Sequence, residues 1–220
     1  MSLIILNFHG VGPITRNIDD SEHDCWLDQS SFEEMLDMVR DHSHVRLTVD
    51  DGNASDVEIV LPTLLKRGLS ATFFICSGRL DQPTFLSLAQ VQELRAQGMG
   101  IGSHGVAHVP WRKLSADRLF DELEGSRQVL EKVCGAPVDT AACPFGAYDR
   151  TVLNGLRRAG YRRVFTSDDG AAIEKHWLQS RTTVTRSMPL AQIQQLIQHG
   201  PGLCQQWSIN ARKYVKRLLY

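Results

Sequence analysis

Apolar and polar positions follow two alternating periods along this chain. Short runs of apolar and β-branched residues at 3–8, 45–49, 71–76, 99–103, 140–144, 163–166 and 180–184 have the length and make-up of buried strands. Between them, apolar residues recur at helical spacing over 32–39, 57–66, 84–96, 116–133 and 151–158. Ser31 and Glu34 read as a capping box at the start of the first of these, and Gly68, Gly98, Gly135 and Gly160 stop the others. Strand followed by helix, about seven times over, predicts a parallel sheet covered by helices. In 220 residues that pattern fits a single α/β domain over 1–220, a distorted (β/α)7–8 barrel. Its expected core includes Leu6, Leu47, Phe73, Ile75, Ile101 and Val164.

Two stretches stand outside the pattern. Residues 12–29 are polar and acidic around Trp26 and read as a long loop near the functional end. Residues 210–220 read as a basic amphipathic helix packed on the barrel, with a weak membrane-surface contact as the alternative. No apolar run approaches the ~20 residues of a membrane span, and Leu3-Ile4-Ile5-Leu6 is too short for a signal-peptide core, so a cytoplasmic protein without a transmembrane segment is expected. A formal charge of -1 gives no reason to expect nucleic acid as a partner. Cys25, Cys76, Cys134, Cys143 and Cys204 are odd in number and scattered. They suggest reduced thiols rather than a disulfide framework or a thiolate metal site.

The chemistry gathers at strand ends, where barrels of this kind carry their functional groups. One apolar run ends in Thr48-Val49-Asp50-Asp51-Gly52, another in His104-Gly105-Val106-Ala107-His108 and a third in Pro144-Phe145-Gly146. Two histidines four apart can share one face of a turn, and a carboxylate from a neighbouring strand completes a set of N, N and O ligands with positions left open. Such a site on zinc lowers the pKa of bound water and polarises a carbonyl, with a second carboxylate beside it as base. Hydrolysis of an amide or ester is the chemistry implied.

These motifs resemble the polysaccharide deacetylases of carbohydrate esterase family 4, the NodB homology domain, over most of the chain. The T-F-D-D-G motif corresponds to residues 48–52, and the H-[ST]-x-x-H motif to residues 104–108 with Gly105 in place of the hydroxyl residue. The resemblance implies that Asp50 is the catalytic base and that Asp51, His104 and His108 bind a divalent metal, zinc most often and cobalt in some members. The substrate implied is an N-acetylated carbohydrate, a polysaccharide or its precursor. An O-acetyl esterase or amidase acting on a non-polymer substrate is one alternative, and a catalytically silent carbohydrate-binding homologue another.

The third motif, R-x-P-[FY]-G, appears as Ala142-Cys143-Pro144-Phe145-Gly146 and lacks its arginine. Arg181 or Arg186 is the candidate replacement, while Pro144, Phe145 and Arg181 are the expected oxyanion and substrate contacts. The chain most resembles the circularly permuted poly-N-acetylglucosamine deacetylases, whose general acid comes from an N-terminal Y-H motif. His9, in Phe8-His9-Gly10, is accordingly the expected acid, ahead of His199. Cys143 reads as a buried thiol and Asp168-Asp169-Gly170 as a strand-end turn, with substrate contact as the alternative. Trp111 reads equally as a sugar platform or core, and His23, Asp19, Asp20 and Glu22 as solvated loop residues.

Overall fold

The computed structural model describes residues 2–218, and in it the apolar runs become neighbouring parallel strands. β1 (Ser2–Phe8) is buried at every position after Ser2, as a strand covered on both faces must be. It pairs with β2 (Val45–Asp51), and β3 (Thr72–Ile75), β4 (Gly100–Ser103), β5 (Thr140–Ala142) and β6 (Arg163–Thr166) follow in order, all parallel. The register sets Asn7 beside Thr48 and Asp51 beside Ile75. The ends that carry the sequence motifs thus meet at one mouth.

The last strand differs from the expected continuous run over 180–184. β7 (Ala172–Ile173) pairs antiparallel with the start of β1, β8 (Leu178–Ser180) pairs with β6, and β9 (Thr182–Thr183) pairs with β1. Arg181 is the residue between β8 and β9. Its N–H donates to the Thr166 carbonyl at 2.9 Å, and three residues on the Val184 N–H donates to the Asn7 carbonyl at 2.9 Å. One segment therefore serves both free edges, and the barrel closes at Arg181.

Helices α1 (Asp20–Cys25), α2 (Gln29–Val39), α3 (Leu61–Lys66), α4 (Leu88–Ala96), α5 (Ala116–Phe120), α6 (Ser126–Cys134), α7 (Arg150–Arg158), α8 (Leu190–His199) and α9 (Leu203–Leu218) complete the fold. α2 starts earlier than the capping box implied, because Asp28, not Ser31, is its cap and accepts from the Ser31 N–H at 2.8 Å. α4 starts later, behind a Ser87–Gln90 capping box. The helices expected over 57–66 and 116–133 each contain a π segment, Asp56–Val60 and Asp121–Gly125. α8 was given no range by the apolar spacing, its buried Ile193 and Ile197 being spaced among glutamines. α9 begins well before residue 210, and Leu219 and Tyr220 lie outside the described residues.

Residues 12–29 are not one long loop. They contain α1 and the start of α2, and Trp26 is buried with its indole N–H on the Gly12 carbonyl at 2.8 Å. The main core lies where β1, β2 and β3 meet α2, α3, α4 and α8, and a second cluster under α7 includes Trp111, Tyr148 and Val164. Of the expected core residues, Leu6, Leu47, Phe73, Ile75 and Val164 are buried, and Ile101 is partly buried against the main cluster. Cys25, Cys76, Cys134 and Cys143 are free thiols; the side chain of Cys204 lies outside the described set.

Candidate active site

Asp50, near the end of β2, is fully enclosed with Arg181. The guanidinium donates from Nη1 to Oδ1 at 2.6 Å and from Nη2 to Oδ2 at 2.7 Å, a bidentate pair. Asn7 adds a third bond to Oδ2 at 3.0 Å and accepts from Arg181 at 2.8 Å and from the Thr48 hydroxyl at 2.6 Å. Burial alone would raise the Asp50 pKa, but Arg181 and then His104 outweigh it and hold the carboxyl far below the usual range. Of the two candidate arginines, Arg181 is therefore the one that stands against Asp50. With 0% exposure, it meets the carboxylate and does not reach a substrate surface. Arg186 is elsewhere, exposed beside the His23 ring at 3.4 Å.

Asp51 has φ +83, a region that costs a non-glycine residue stability and recurs at functional sites. One atom from each of Asp51, His104 and His108 falls within 4.8 Å of the others. His108 Nε2 is 3.1 Å and His104 Nε2 3.7 Å from Asp51 Oδ1. His104 Nδ1 is held by the Ala142 carbonyl at 2.9 Å, which fixes the ring and turns Nε2 toward the carboxylates. Burial lowers the His104 pKa to about 4, against the pull of Asp50 and Asp51, and burial lowers that of His108 as well. Both rings are thus held neutral, the form that binds metal. Asp51 Oδ1 is buried and lacks a hydrogen bond. That orphaned acceptor, between two neutral imidazoles, fits a divalent cation.

Glu122, unnoticed in the sequence, holds the histidine loop. It sits in the π segment between α5 and α6, 4% exposed, and accepts from the N–H groups of Val106 at 2.8 Å and Ala107 at 3.1 Å and from the Trp111 indole at 3.3 Å. Gly105, at φ +81, would carry a Cβ only 2.3 Å from Glu122 Oε2, so this loop has glycine where the resembling motif has a hydroxyl. Trp111 is 1% exposed and belongs to the core; the sugar-platform reading fails because no ring face is open.

The third-motif turn brings Phe145 into the mouth. Phe145 has φ +57, is 61% exposed, and its ring centroid lies 4.6 Å from that of His108. Pro144 has no N–H, while Gly146 and Ala147 donate within the turn, so the Phe145 amide is the donor the motif offers. Cys143 is buried, and burial pushes its thiol pKa far up. Asp168 is taken by Tyr148 at 2.7 Å, Thr166 at 2.8 Å and Lys216, so the second Asp-Asp-Gly is a structural turn.

His9 follows β1 at the same mouth, half-buried, with Nδ1 buried and unbonded. It is among the groups whose charge lowers the pKa values of Asp50 and Asp51. His199 instead lines a cavity with Ser2, at the opposite end of β1. Asn7 and Arg79 were also missed. Arg79 Nη1 stands 4.0 Å from Asp51 Oδ1, with its guanidinium over the Phe85 ring. In the loop segment, Arg16 pairs with Glu22 and bonds Asn53 at 3.1 Å, so Glu22 is bonded rather than solvated.

The sequence pattern of the polysaccharide deacetylase family matches residues 38–164, a span that holds all three motifs and omits both β1 and Arg181. The peptidoglycan-N-acetylmuramic acid deacetylase PdaA of Bacillus subtilis is 29% identical over 126 residues, 56% of this chain and 46% of PdaA. A chitooligosaccharide deacetylase of Azorhizobium caulinodans is 24% identical over 133 residues, 60% of this chain and 62% of that enzyme. The chain spans about half the length of the curated relatives it matches. Among solved structures, the Streptococcus pyogenes deacetylase PplD, in complex with acetate, superposes with a TM-score of 0.78 at 21% identity, covering 90% of this chain and 99% of its own. IcaB from Ammonifex degensii gives 0.75 at 21% identity, covering 90% and 97%. At that identity the likeness is one of fold. Motifs, barrel and family pattern agree: the chain belongs to the polysaccharide deacetylase family.

Proposed function

We propose that this protein is a divalent-metal-dependent deacetylase that removes N-acetyl groups from a sugar of a polysaccharide or its precursor. The observation that carries the reading is the pairing of two unlike carboxylates: Asp51 with an unbonded oxygen between two neutral histidines, and Asp50 clamped by Arg181 beside them. A divalent cation, zinc or cobalt, held by Asp51, His104 and His108 supplies Lewis acidity to water and to the acyl oxygen. Asp50 then accepts the proton of the attacking water. Its depressed pKa makes it a weak base, matched only to a water that is already acidified.

The Phe145 amide faces the developing oxyanion, and His9 delivers a proton to the departing nitrogen. Acetate and a free amine result. The order of the pieces, His9 before the first motif and Arg181 after the third, supports the permuted arrangement that the sequence resembles.

Acetate release from N-acetylglucosamine oligomers by zinc- or cobalt-loaded protein, beside Asp50→Asn and His104→Ala, tests the reading. Release that both substitutions abolish is expected. Release only from an aryl acetate would replace the assignment with an O-acetyl esterase. No release from either would leave a carbohydrate-binding homologue.

A further inference from the structure

Helix α9 has two unlike faces. Toward the barrel, Ile209 is fully buried, Gln206 accepts from the Ala171 N–H at 3.0 Å, and Lys216 reaches Asp168 and the Gly146 carbonyl. On the other side, Trp207, Ala211, Tyr214, Val215 and Leu218 recur at the spacing of one helical stripe, and all five are exposed. Trp207 is 80% exposed and Tyr214 65%. At about 3.6 residues per turn, Arg212 and Arg217 fall on opposite flanks of this stripe. Both are exposed, and residues 203–218 contain no Asp or Glu.

A cavity of 640 Å³ adjoins the C-terminal end of the same helix. Arg150 and Arg157 of α7, Lys175 and Trp177 ahead of β8, and Arg217 and Leu218 of α9 line it, and no lining residue is acidic. Arg157 lies over the Trp177 ring at 4.5 Å. An apolar stripe flanked by arginines, next to a cationic cavity, is complementary to one surface in particular.

We propose that α9 and this cavity dock on an anionic phospholipid bilayer. The stripe lies in the interface, Arg212 and Arg217 extend toward headgroups, and the cavity cations take lipid phosphates. Charge argues against a second copy as the occupant, since pairing two such stripes would gather four arginines without an intervening acid. The helix rests on the membrane rather than crossing it: among the described residues no helix is long and apolar enough to span. This surface is independent of the catalytic reading, and the Lys216 contact with Gly146 keeps the third-motif turn beside it.

The test is co-sedimentation of the full chain with vesicles of phosphatidylcholine alone and of phosphatidylcholine mixed with phosphatidylglycerol, with tryptophan emission read alongside. Binding to the mixed vesicles with a blue shift is expected. Arg212→Glu with Arg217→Glu should weaken it about tenfold or more, and Trp207→Ser with Leu218→Ser should remove both binding and shift. None of the four residues belongs to the catalytic constellation, and an unchanged thermal melt shows that each variant is folded. Absence of binding, equal binding to neutral vesicles, or binding indifferent to both pairs would overturn the proposal. So would a dimer in sedimentation velocity that Trp207→Ser with Leu218→Ser dissolves while wild-type protein ignores vesicles.

Discussion

Arg181 and Asp50 stand 131 residues apart in sequence and meet through two hydrogen bonds of 2.6 and 2.7 Å. The pair is buried, so neither charge can be removed without stranding the other. Arg181→Ala is expected to destabilise the fold by about 3–5 kcal/mol, the cost typical of breaking a buried ion pair. Arg181→Lys keeps the charge but loses the fork, and should lower kcat with little change in KM. Denaturant melts together with steady-state kinetics check this; an Arg181→Lys variant with wild-type turnover would show that Asp50 needs a charge and not a geometry.

Glu122 ties the histidine loop from behind. Glu122→Gln removes the charge-assisted hold on the Val106 and Ala107 amides and should weaken metal binding about 10- to 100-fold, the scale seen for groups that orient ligands. Calorimetric titration of metal-free protein with zinc reads it. Gly105→Ser, which restores the family's hydroxyl residue, should weaken binding too, because the new Cβ meets Glu122 at 2.3 Å.

Metal-free protein should lose stability as pH falls from 6.5 toward 4 on account of His104, whose pKa burial lowers from 6.5 to about 4. Between those values the unfolded chain binds a proton that the folded chain does not, so stability rises with pH across the window and is complete above 6.5. Thermal melts of the chelator-treated protein and of His104→Asn should differ in slope over this range. Equal slopes would place the imidazole in a solvated site.

Asp56 acts in the opposite sense. It is fully buried with both oxygens unbonded, and burial, followed by the charges of Asp51 and Asp50, raises its pKa well above the ordinary value. The folded state therefore holds a proton that the unfolded state releases, and its contribution is lost as pH rises. Asp56→Asn should gain stability over wild type as pH increases, most clearly on the alkaline side; a constant difference between the two would contradict it.

The strand and helix periods were enough to predict the barrel, because strands buried on both faces must be apolar and glycines must end the helices. The candidate metal triad was legible for a related reason: its members sit within two short motifs. Asn7 was missed although a lone amide inside Leu3-Ile4-Ile5-Leu6 and Phe8 was a usable signal. Glu122 and Arg79 gave no such signal, since a charged residue in a helix or after a strand ordinarily faces water. Arg181 was identified only as one of two candidates, as no local pattern tells which arginine turns inward at a strand break.

That break gives the site its timing. A nascent chain has all three motifs by residue 146, yet Asp50 lacks its guanidinium until residues 178–183 arrive and join the first strand to the sixth. Until then the carboxylate is buried without its partner or left open to water. On the proposed reading, catalytic competence is consequently a property of the finished barrel, and a fragment ending before Arg181 would carry every motif and still leave Asp50 without its clamp.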